Sequence, residues 1–210
     1  MKPDVVSKRT VNRLPLYLAY LKSLPESAEN ISATSIANAL GFGDVQVRKD
    51  LAKISHTGRR KTGRNRMKLI REIEAFLDCT ANSGVIIVGA GQLGQALLEY
   101  DRFEEAGLNV MAGFDSLPTV AQTKSGKPIY HLNQLEAFCK SYEVHIGVIT
   151  VPDEITQMVC DRLVACGVNA IWNFTRTHLK VPDHVVVQSE NLAVPLTALR
   201  MQMKKQKPFC

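Results

Sequence analysis

The residues best suited to chemistry lie in Val85-Ile86-Ile87-Val88-Gly89-Ala90-Gly91-Gln92-Leu93-Gly94, an apolar run closed by a GxGxxG turn and continued by Gln95-Ala96-Leu97-Leu98. The order fits a buried strand, a turn tight enough to require glycine, and a helix whose first N–H groups can hold a diphosphate. Glycines close many strand-to-helix turns, so the spacing alone is a weak signal. Its context is more specific, because the next apolar run, Asn109 to Phe114, ends at Asp115, about 20 residues past the last glycine. A carboxylate there accepts hydrogen bonds from the adenosine ribose hydroxyls and repels a 2′-phosphate, which selects NAD(H) over NADP(H).

The elements that must position these residues follow from the pattern after Gly84. Apolar runs at Pro128-Ile129-Tyr130, His145 to Thr150, Ala170 to Phe174 and Val185-Val186-Val187 alternate with helical stretches at Leu132 to Tyr142 and Asp153 to Cys166. This predicts an α/β, doubly wound parallel sheet. Ligands of such sheets bind outside the carboxyl ends of the strands. Thr150, Val151, Pro152, Asn173 and Phe174 therefore join Gly89, Ala90, Gly91, Gln92, Leu93, Gly94 and Asp115 as candidate cofactor-binding residues. Pro195 opens a last amphipathic helix with Leu196, Leu199 and Met203 on one face, which needs a partner surface in the same chain or in a second copy.

The charge is unevenly placed. Of a net +6, residues 1–78 carry a surplus (15 Lys and Arg against 8 Asp and Glu), while residues 79–210 are nearly neutral (11 against 12). A basic module joined to a neutral one points to a polyanion partner, with nucleic acid favoured over an anionic membrane. Within the basic part, Val11, Leu14, Leu18 and Leu21 predict a first helix, with Pro15 in its first turn or kinking it. Ser32 caps a second helix that buries Ile36 and Leu40, Gly41-Phe42-Gly43 turns, and Asp44 caps a third helix from Val45 to Ile54. Val47, Leu51 and Ile54 form the buried stripe of that third helix, leaving Gln46, Arg48, Lys49 and Lys53 outward. Three such helices make a helix-turn-helix whose last member enters the major groove. His56 to Arg66 then supplies five basic residues, Arg59, Arg60, Lys61, Arg64 and Arg66, punctuated by Gly58 and Gly63, as a wing along a phosphate backbone requires. Met67 to Asp78 predicts a further helix packed on this module, and Thr80 to Gly84 a short linker.

No uninterrupted apolar stretch reaches membrane-spanning length and no charged-then-apolar leader opens the sequence, so a cytoplasmic protein is expected. The five cysteines, Cys79, Cys139, Cys160, Cys166 and Cys210, include no CxxC pair. Reduced core thiols are expected rather than a disulfide framework or a zinc site. The histidines are scattered without metal-ligand spacing.

Gln46-Val47-Arg48-Lys49-Asp50-Leu51, a basic wing and Val88 to Gly94, in that order, resemble the Rex family of bacterial redox-sensing transcriptional repressors. Further matches are Arg13-Leu14-Pro15-Leu16-Tyr17, Leu97-Leu98-Glu99-Tyr100, Ala112-Gly113-Phe114-Asp115, Thr150-Val151-Pro152 and Asn173-Phe174, so the resemblance spans nearly the whole length. It implies an N-terminal winged-helix DNA-binding domain at residues 1–79, an NAD(H)-binding Rossmann-like domain at 80–190 and a C-terminal helix at 191–210 exchanged within a homodimer. It further implies double-stranded DNA with a palindromic operator as partner, released when NADH replaces NAD⁺. Arg48 and Lys49 would contact the operator and Arg60 would serve in the wing. Val151, Pro152, Asn173 and Phe174 would flank the nicotinamide half, and Tyr100 takes the place of a switch tyrosine.

The sequence also departs from the family. Ala19 and Asn191 stand where the family has an arginine and an aspartate of one ion pair, which leaves Arg13 or Glu190 as the replacement partner of Tyr100. The wing lacks the family's aromatics, and its Asn-Phe-Ala-Pro pattern becomes Asn173-Phe174-Thr175-Arg176. The leading expectation is a non-enzymatic, dinucleotide-responsive repressor. A DNA-binding regulator whose dinucleotide is structural or not redox-discriminating stands as the alternative. A small NAD-dependent oxidoreductase ranks lowest, since one helix after the sheet leaves no substrate domain.

Overall fold

A computed structural model describes residues 7–54, 63–77 and 83–206 of the chain. Two compact units, Met1–Ala81 and Asn82–Cys210, each build their own core.

In the first unit, helix α1 spans Lys8–Ser23 and opens on Ser7, whose side chain accepts from the Thr10 N–H. Pro15 lies mid-helix, so the first-turn alternative does not hold; its exposed position lets water satisfy the carbonyl that its missing N–H leaves unpaired. Leu14, Tyr17, Leu18 and Leu21 are buried, whereas Val11, expected in the stripe, is exposed. A two-residue strand β1 (Asn30–Ile31) precedes α2 (Ala33–Leu40), and Gly41 ends that helix at φ 69°. In this left-handed conformation a side chain would be strained.

Helix α3 is Asp44–Ile54. Asp44 belongs to its first turn rather than capping it: its carboxylate accepts from Thr34 Oγ1 at 2.8 Å and pairs with Arg48 at 2.8 Å. Strand β2 (Arg64–Asn65) pairs antiparallel with β1, and α4 is Arg66–Phe76. Neither two-residue strand shows a periodicity that sequence could reveal. Arg66, expected in the wing, instead starts α4 and is buried. Its Nη1 donates to the carbonyls of Leu24 at 2.8 Å and Leu21 at 3.3 Å, placing a cation against the carboxyl end of α1. The rest of the expected wing, including Arg59, Arg60 and Lys61, lies outside the described residues.

The polar centre of this unit is Asp50, only 3 % exposed on α3. Its carboxylate accepts from Thr10 Oγ1 (2.9 Å), Tyr17 hydroxyl (2.9 Å), and Arg13 Nε and Nη2 (both 2.8 Å). Burial opposes the charge, yet the bonds from Arg13, Tyr17 and Thr10 outweigh it and hold the Asp50 pKa below its ordinary value. Burial, reinforced by the bond to Asp50, pushes the Tyr17 phenol up to about 12. This cluster pins α3 to α1 and so fixes which side of α3 faces out.

The second unit is a six-stranded, all-parallel sheet. Its strands are β3 (Ser83–Val88), β4 (Leu108–Asp115), β5 (Ile129–His131), β6 (Ile146–Ile149), β7 (Ala170–Asn173) and β8 (Val186–Ser189). The order is β5-β4-β3-β6-β7-β8, the doubly wound arrangement whose direction reverses between β3 and β6. Period-two alternation puts Ile86 and Val88 in one core with Phe114, Leu135, Leu163 and Ile171, and Val85 and Ile87 in another with Leu98 and Val110.

The helices are α5 (Gln92–Leu98), α6 (Arg102–Glu105), α7 (Leu135–Ser141), α8 (Thr156–Ala165) and α9 (Ala193–Gln206). Single 3-10 turns at Leu132–Gln134 and Asp153–Ile155 account for the longer extents expected of α7 and α8. Helix α6, too short for a period to show, was not expected. Helix α9 exposes Leu196, Leu199 and Met203 as expected, and also Val194 and Met201. At about 100° per residue the latter two fall on the opposite side, so α9 is apolar on two faces.

Asp50→Asn is expected to destabilise the first unit by about 3 kcal/mol, the order for removing one partner of a buried ion pair. Folding lowers the Asp50 pKa, so its contribution is complete above the unfolded-state value of about 3.9 and disappears as pH falls through the folded-state value. Urea unfolding, followed by helical circular dichroism, should show the wild-type advantage over Asp50→Asn shrinking below about pH 4. A pH-independent gap would contradict the assignment.

Candidate functional site

The carboxyl edge of the sheet gathers the segments singled out in the sequence. After β3, Gly89 takes φ 102°, and a Cβ there would lie 2.7 Å from the Thr150 carbonyl. A Cβ on Gly94 would overlap the Gly89 carbonyl oxygen, which is how closely α5 sits on the turn. Around Gly91 a Cβ would meet nothing within 4 Å. The three glycines thus serve turn geometry, an open approach and helix packing respectively.

The turn is held by its neighbours. Gly89 N donates to the Phe114 carbonyl (2.7 Å), Thr150 Oγ1 to the Gly89 carbonyl (2.7 Å), and Gln95 Nε2 to the Ala90 carbonyl (2.7 Å). No side chain caps α5, whose amino end begins at exposed Gly91, Gln92 and Leu93. Those first-turn N–H groups are the ones a helix leaves for an external acceptor.

Asp115 sits beside this turn, where β4 ends. Its carboxylate accepts from Ala90 N at 2.7 Å and from Leu117 N at 2.9 Å. It therefore braces the glycine loop as well as lying where a ribose acceptor belongs. Across β3, Thr150, Val151 and Pro152 follow β6, and Phe174 N donates to the Ile149 carbonyl at 3.0 Å.

Asn173 is brought to the same edge, yet its side chain turns inward. It is fully buried, with Oδ1 accepting from Thr175 N (3.0 Å) and Oγ1 (2.9 Å) and Nδ2 donating to the Thr177 carbonyl (3.0 Å). Its amide shapes the loop, leaving Phe174 as the side chain available to a ligand. Asp153 latches the adjoining loops: it accepts from Arg176 N (3.0 Å) and Nε (2.9 Å), and the Arg176 backbone bond foremost lowers its pKa.

Two residues that sequence reasoning missed connect Tyr100 to Phe174. Tyr100 stacks edge-on with Phe103 (5.0 Å), Phe103 with Trp172 (6.0 Å), and Trp172 lies 4.5 Å from Phe174. Trp172 Nε1 also donates to Glu190 at 3.4 Å. The available signal was that Trp172 is the single tryptophan of the chain and lies two residues before Phe174.

In the first unit, Gln46 is half-buried, Arg48, Lys49 and Lys53 are exposed on α3, and Arg64 is half-buried on β2. An open basin on α3 is lined by Arg13, Gly43, Gln46, Lys49 and Lys53 among others.

Among the described residues the cysteine thiols, Cys139, Cys160 and Cys166, are held above their ordinary pKa chiefly by burial. Burial pushes Cys139 up to about 12 and Cys160 up to about 11, which keeps both protonated at neutral pH. Among the described residues no group of three or more His, Cys, Asp or Glu side chains converges to hold a metal. No helix among them is long and apolar enough to cross a membrane.

A family model described as a CoA binding domain matches residues 80–177, and one described as a putative DNA-binding protein N-terminus matches residues 5–52. The redox-sensing transcriptional repressor Rex of Porphyromonas gingivalis is 36 % identical over 95 % of this chain and 92 % of its own length. That of Treponema denticola is 37 % identical over 98 % and 99 %. The chain belongs to the Rex family of redox-sensing transcriptional repressors. Among solved Rex-family structures, the repressor RSP in complex with β-NAD⁺ and operator DNA matches at TM-score 0.87 and 30 % identity, covering 96 % of this chain and 94 % of that one. RSP in complex with β-NADH matches at TM-score 0.85 and 30 % identity, covering 96 % of each.

Some of the departures from the Rex-family pattern are taken up in local hydrogen bonds, while the departing wing residues lie outside the described residues. Thr175 is bonded to the Asn173 amide and Arg176 to Asp153. Asn191 Oδ1 accepts from Ala193 N at 3.0 Å as α9 opens. Arg13 is committed to Asp50 and so is not a free partner for Tyr100. Glu190, the other substitute considered, accepts from Trp172 and from Gln188 Nε2 (3.3 Å).

Gly94→Ala should disrupt the second unit, because the Gly89 carbonyl has nowhere to move. Gly91→Ala should leave the unfolding midpoint nearly unchanged, within about 0.5 kcal/mol, while reducing dinucleotide binding. Thermal unfolding and NADH titration of both variants check this; equal stability loss in the two would contradict the division of roles.

Proposed function

We propose that this chain is a homodimeric, DNA-binding transcriptional repressor whose grip on an operator depends on whether NADH or NAD⁺ occupies the carboxyl edge of its sheet. The observation that carries the proposal is the convergence of Gly89–Gly94, Asp115, Thr150–Pro152 and Phe174 at the β3/β6 reversal, in a Rex-family chain that also presents a basic α3. Residues 1–79 form the DNA-binding part, 80–190 the dinucleotide part and 191–210 the partner-seeking helix. Its role is binding rather than catalysis, and its place is the cytoplasm, where both DNA and the nicotinamide pool are reached.

In the dinucleotide part, the N–H groups at Gly91, Gln92 and Leu93 take the diphosphate, and Gly89, Ala90 and Gly94 shape the approach. Asp115 takes the adenosine ribose. Thr150, Val151, Pro152, Asn173 and Phe174 bound the nicotinamide half, Asn173 through the loop it holds. Tyr100, through Phe103 and Trp172, adjoins that end, where the ring's charge and planarity change between NAD⁺ and NADH. A ligand shifts an equilibrium only by its differential affinity for the two states, so a moving element must feel that change. The two apolar faces of α9 suit a helix lodged between surfaces of a second copy. In the first part, Gln46, Arg48, Lys49 and Lys53 face the major groove, and Arg59, Arg60, Lys61 and Arg64 track phosphates.

The test is binding of the full chain to a duplex selected from random sequence, with NAD⁺ or NADH saturating. NADH should weaken binding at least about fivefold relative to NAD⁺, the lower range of allosteric coupling. Equal binding would leave the dinucleotide non-discriminating, the reading that Ala19 and Asn191 favour. Lys49→Ala should weaken DNA binding and lower its salt slope by about one, with NADH affinity unchanged. Asp115→Ala should weaken NADH by roughly 1–3 kcal/mol, the range for a hydrogen bond involving a charged group and its loss from a buried site. Quenching of Trp172 fluorescence provides the titration signal, and unchanged affinity would displace the ribose site.

A further inference from the structure

Resting on the DNA-binding reading of α3, we infer that Arg13 fixes Gln46 as a hydrogen-bond donor toward DNA, so that Gln46 selects a base carrying acceptors alone. The Asp50 carboxylate takes Arg13 Nε and Nη2 at 2.8 Å each and is itself held by Thr10 and Tyr17, so the guanidinium cannot swing away. With its amide oxygen turned to that guanidinium, Gln46 accepts from Arg13 Nη1 at 3.0 Å, the N–H of the fork that Asp50 does not take; Nε lies equally near, but its single N–H is given to Asp50. In the opposite orientation the amide N–H groups would face N–H donors. The amide is thereby polarised: its oxygen is taken by Arg13, and its NH₂ is left as the end with no such partner, in a residue that lines an open basin together with Arg13, Lys49, Asp50 and Lys53.

A free glutamine reads adenine with both ends of its amide, the oxygen accepting from N6 and the nitrogen donating to N7. Gln46 lacks the first half of that pairing. Its NH₂ matches guanine, which offers N7 and O6, or thymine, which offers O4. Adenine and cytosine each place an amino group in the major groove, where it would confront another donor. Lys49 and Lys53, also donors, would not restore an acceptor at this point. Arg13 is then a positioning residue two layers from the DNA, and the Asp50 cluster serves recognition as well as folding.

The experiment measures full-chain affinity for every single-base-pair replacement in a duplex first selected from random sequence. Wild type, Gln46→Met and Arg13→Lys are compared, each with its unfolding midpoint. Gln46→Met should abolish the preference at one base pair per half-site, while the salt slope, set by phosphate contacts, stays the same. At that pair wild type should favour guanine or thymine on the contacted strand by about tenfold over adenine or cytosine. Arg13→Lys, which keeps a cation beside Asp50 but loses the fork, should let adenine bind there nearly as well.

Gln46→Glu offers a check that does not depend on disturbing Asp50. It keeps one oxygen on Arg13 and presents the other outward, so the preference should invert toward adenine or cytosine. Adenine preferred by wild type at the pair that Gln46→Met affects, or no pair affected at all, would overturn the inference. Failure of wild type to bind any duplex, even at low salt, would instead overturn the DNA-binding reading beneath it.

Discussion

The dinucleotide half of this molecule depends on one close approach, that of helix α5 to the turn after β3. Gly94 has no room for even a methyl group against the Gly89 carbonyl, and that contact sets the helix axis on the strand's carboxyl end. Everything around it has been recruited to hold the same few atoms. Thr150 closes the turn from β6, Asp115 from β4 and Gln95 from the helix itself. With the turn held in this way, the first-turn N–H groups of α5 have no side-chain cap and lie where the strand order reverses, the place proposed above for the diphosphate.

The DNA-binding half is organised by a different constraint, a carboxylate out of water. Asp50 cannot remain charged at 3 % exposure unless its lone pairs are filled. Filling them draws Thr10, Arg13 and Tyr17 of α1 onto α3. The orientation of α3 follows, with Val47 and Leu51 inward and Lys49 and Lys53 outward. Polar burial thus does what a purely apolar stripe does less well: it specifies the rotation of the recognition helix.

Much of this was legible from residue types and spacing. GxGxxG and Asp115 meet at the carboxyl edge of the sheet, as their order after two apolar runs predicts, and the periodicities of Leu14/Leu18/Leu21 and Val47/Leu51 mark helices. What escaped the sequence shares one physical cause, dependence on partners distant in the chain or on side-chain direction. Arg13 and Asp50 are 37 positions apart, and no spacing in the sequence pairs them. Asn173 lies at the predicted edge, but only the fold shows its amide turned into its own loop. Phe103 sits on a four-residue helix, too short to announce itself, and joins Tyr100 to Trp172 only in three dimensions. Arg66 continues a run of basic residues and so reads as part of the wing, although burial against the end of α1 gives it a structural place.

The two halves meet in a linkage relation. If a dinucleotide alters DNA affinity, DNA must alter affinity for that dinucleotide by the same factor, whatever path the coupling takes. The most direct measurement is therefore NADH affinity of the full chain, read from Trp172 fluorescence, in the absence and presence of saturating operator duplex. Bound DNA is expected to weaken NADH by the same factor by which NADH weakens DNA, and to weaken NAD⁺ less. Identical NADH affinity with and without DNA would contradict that coupling.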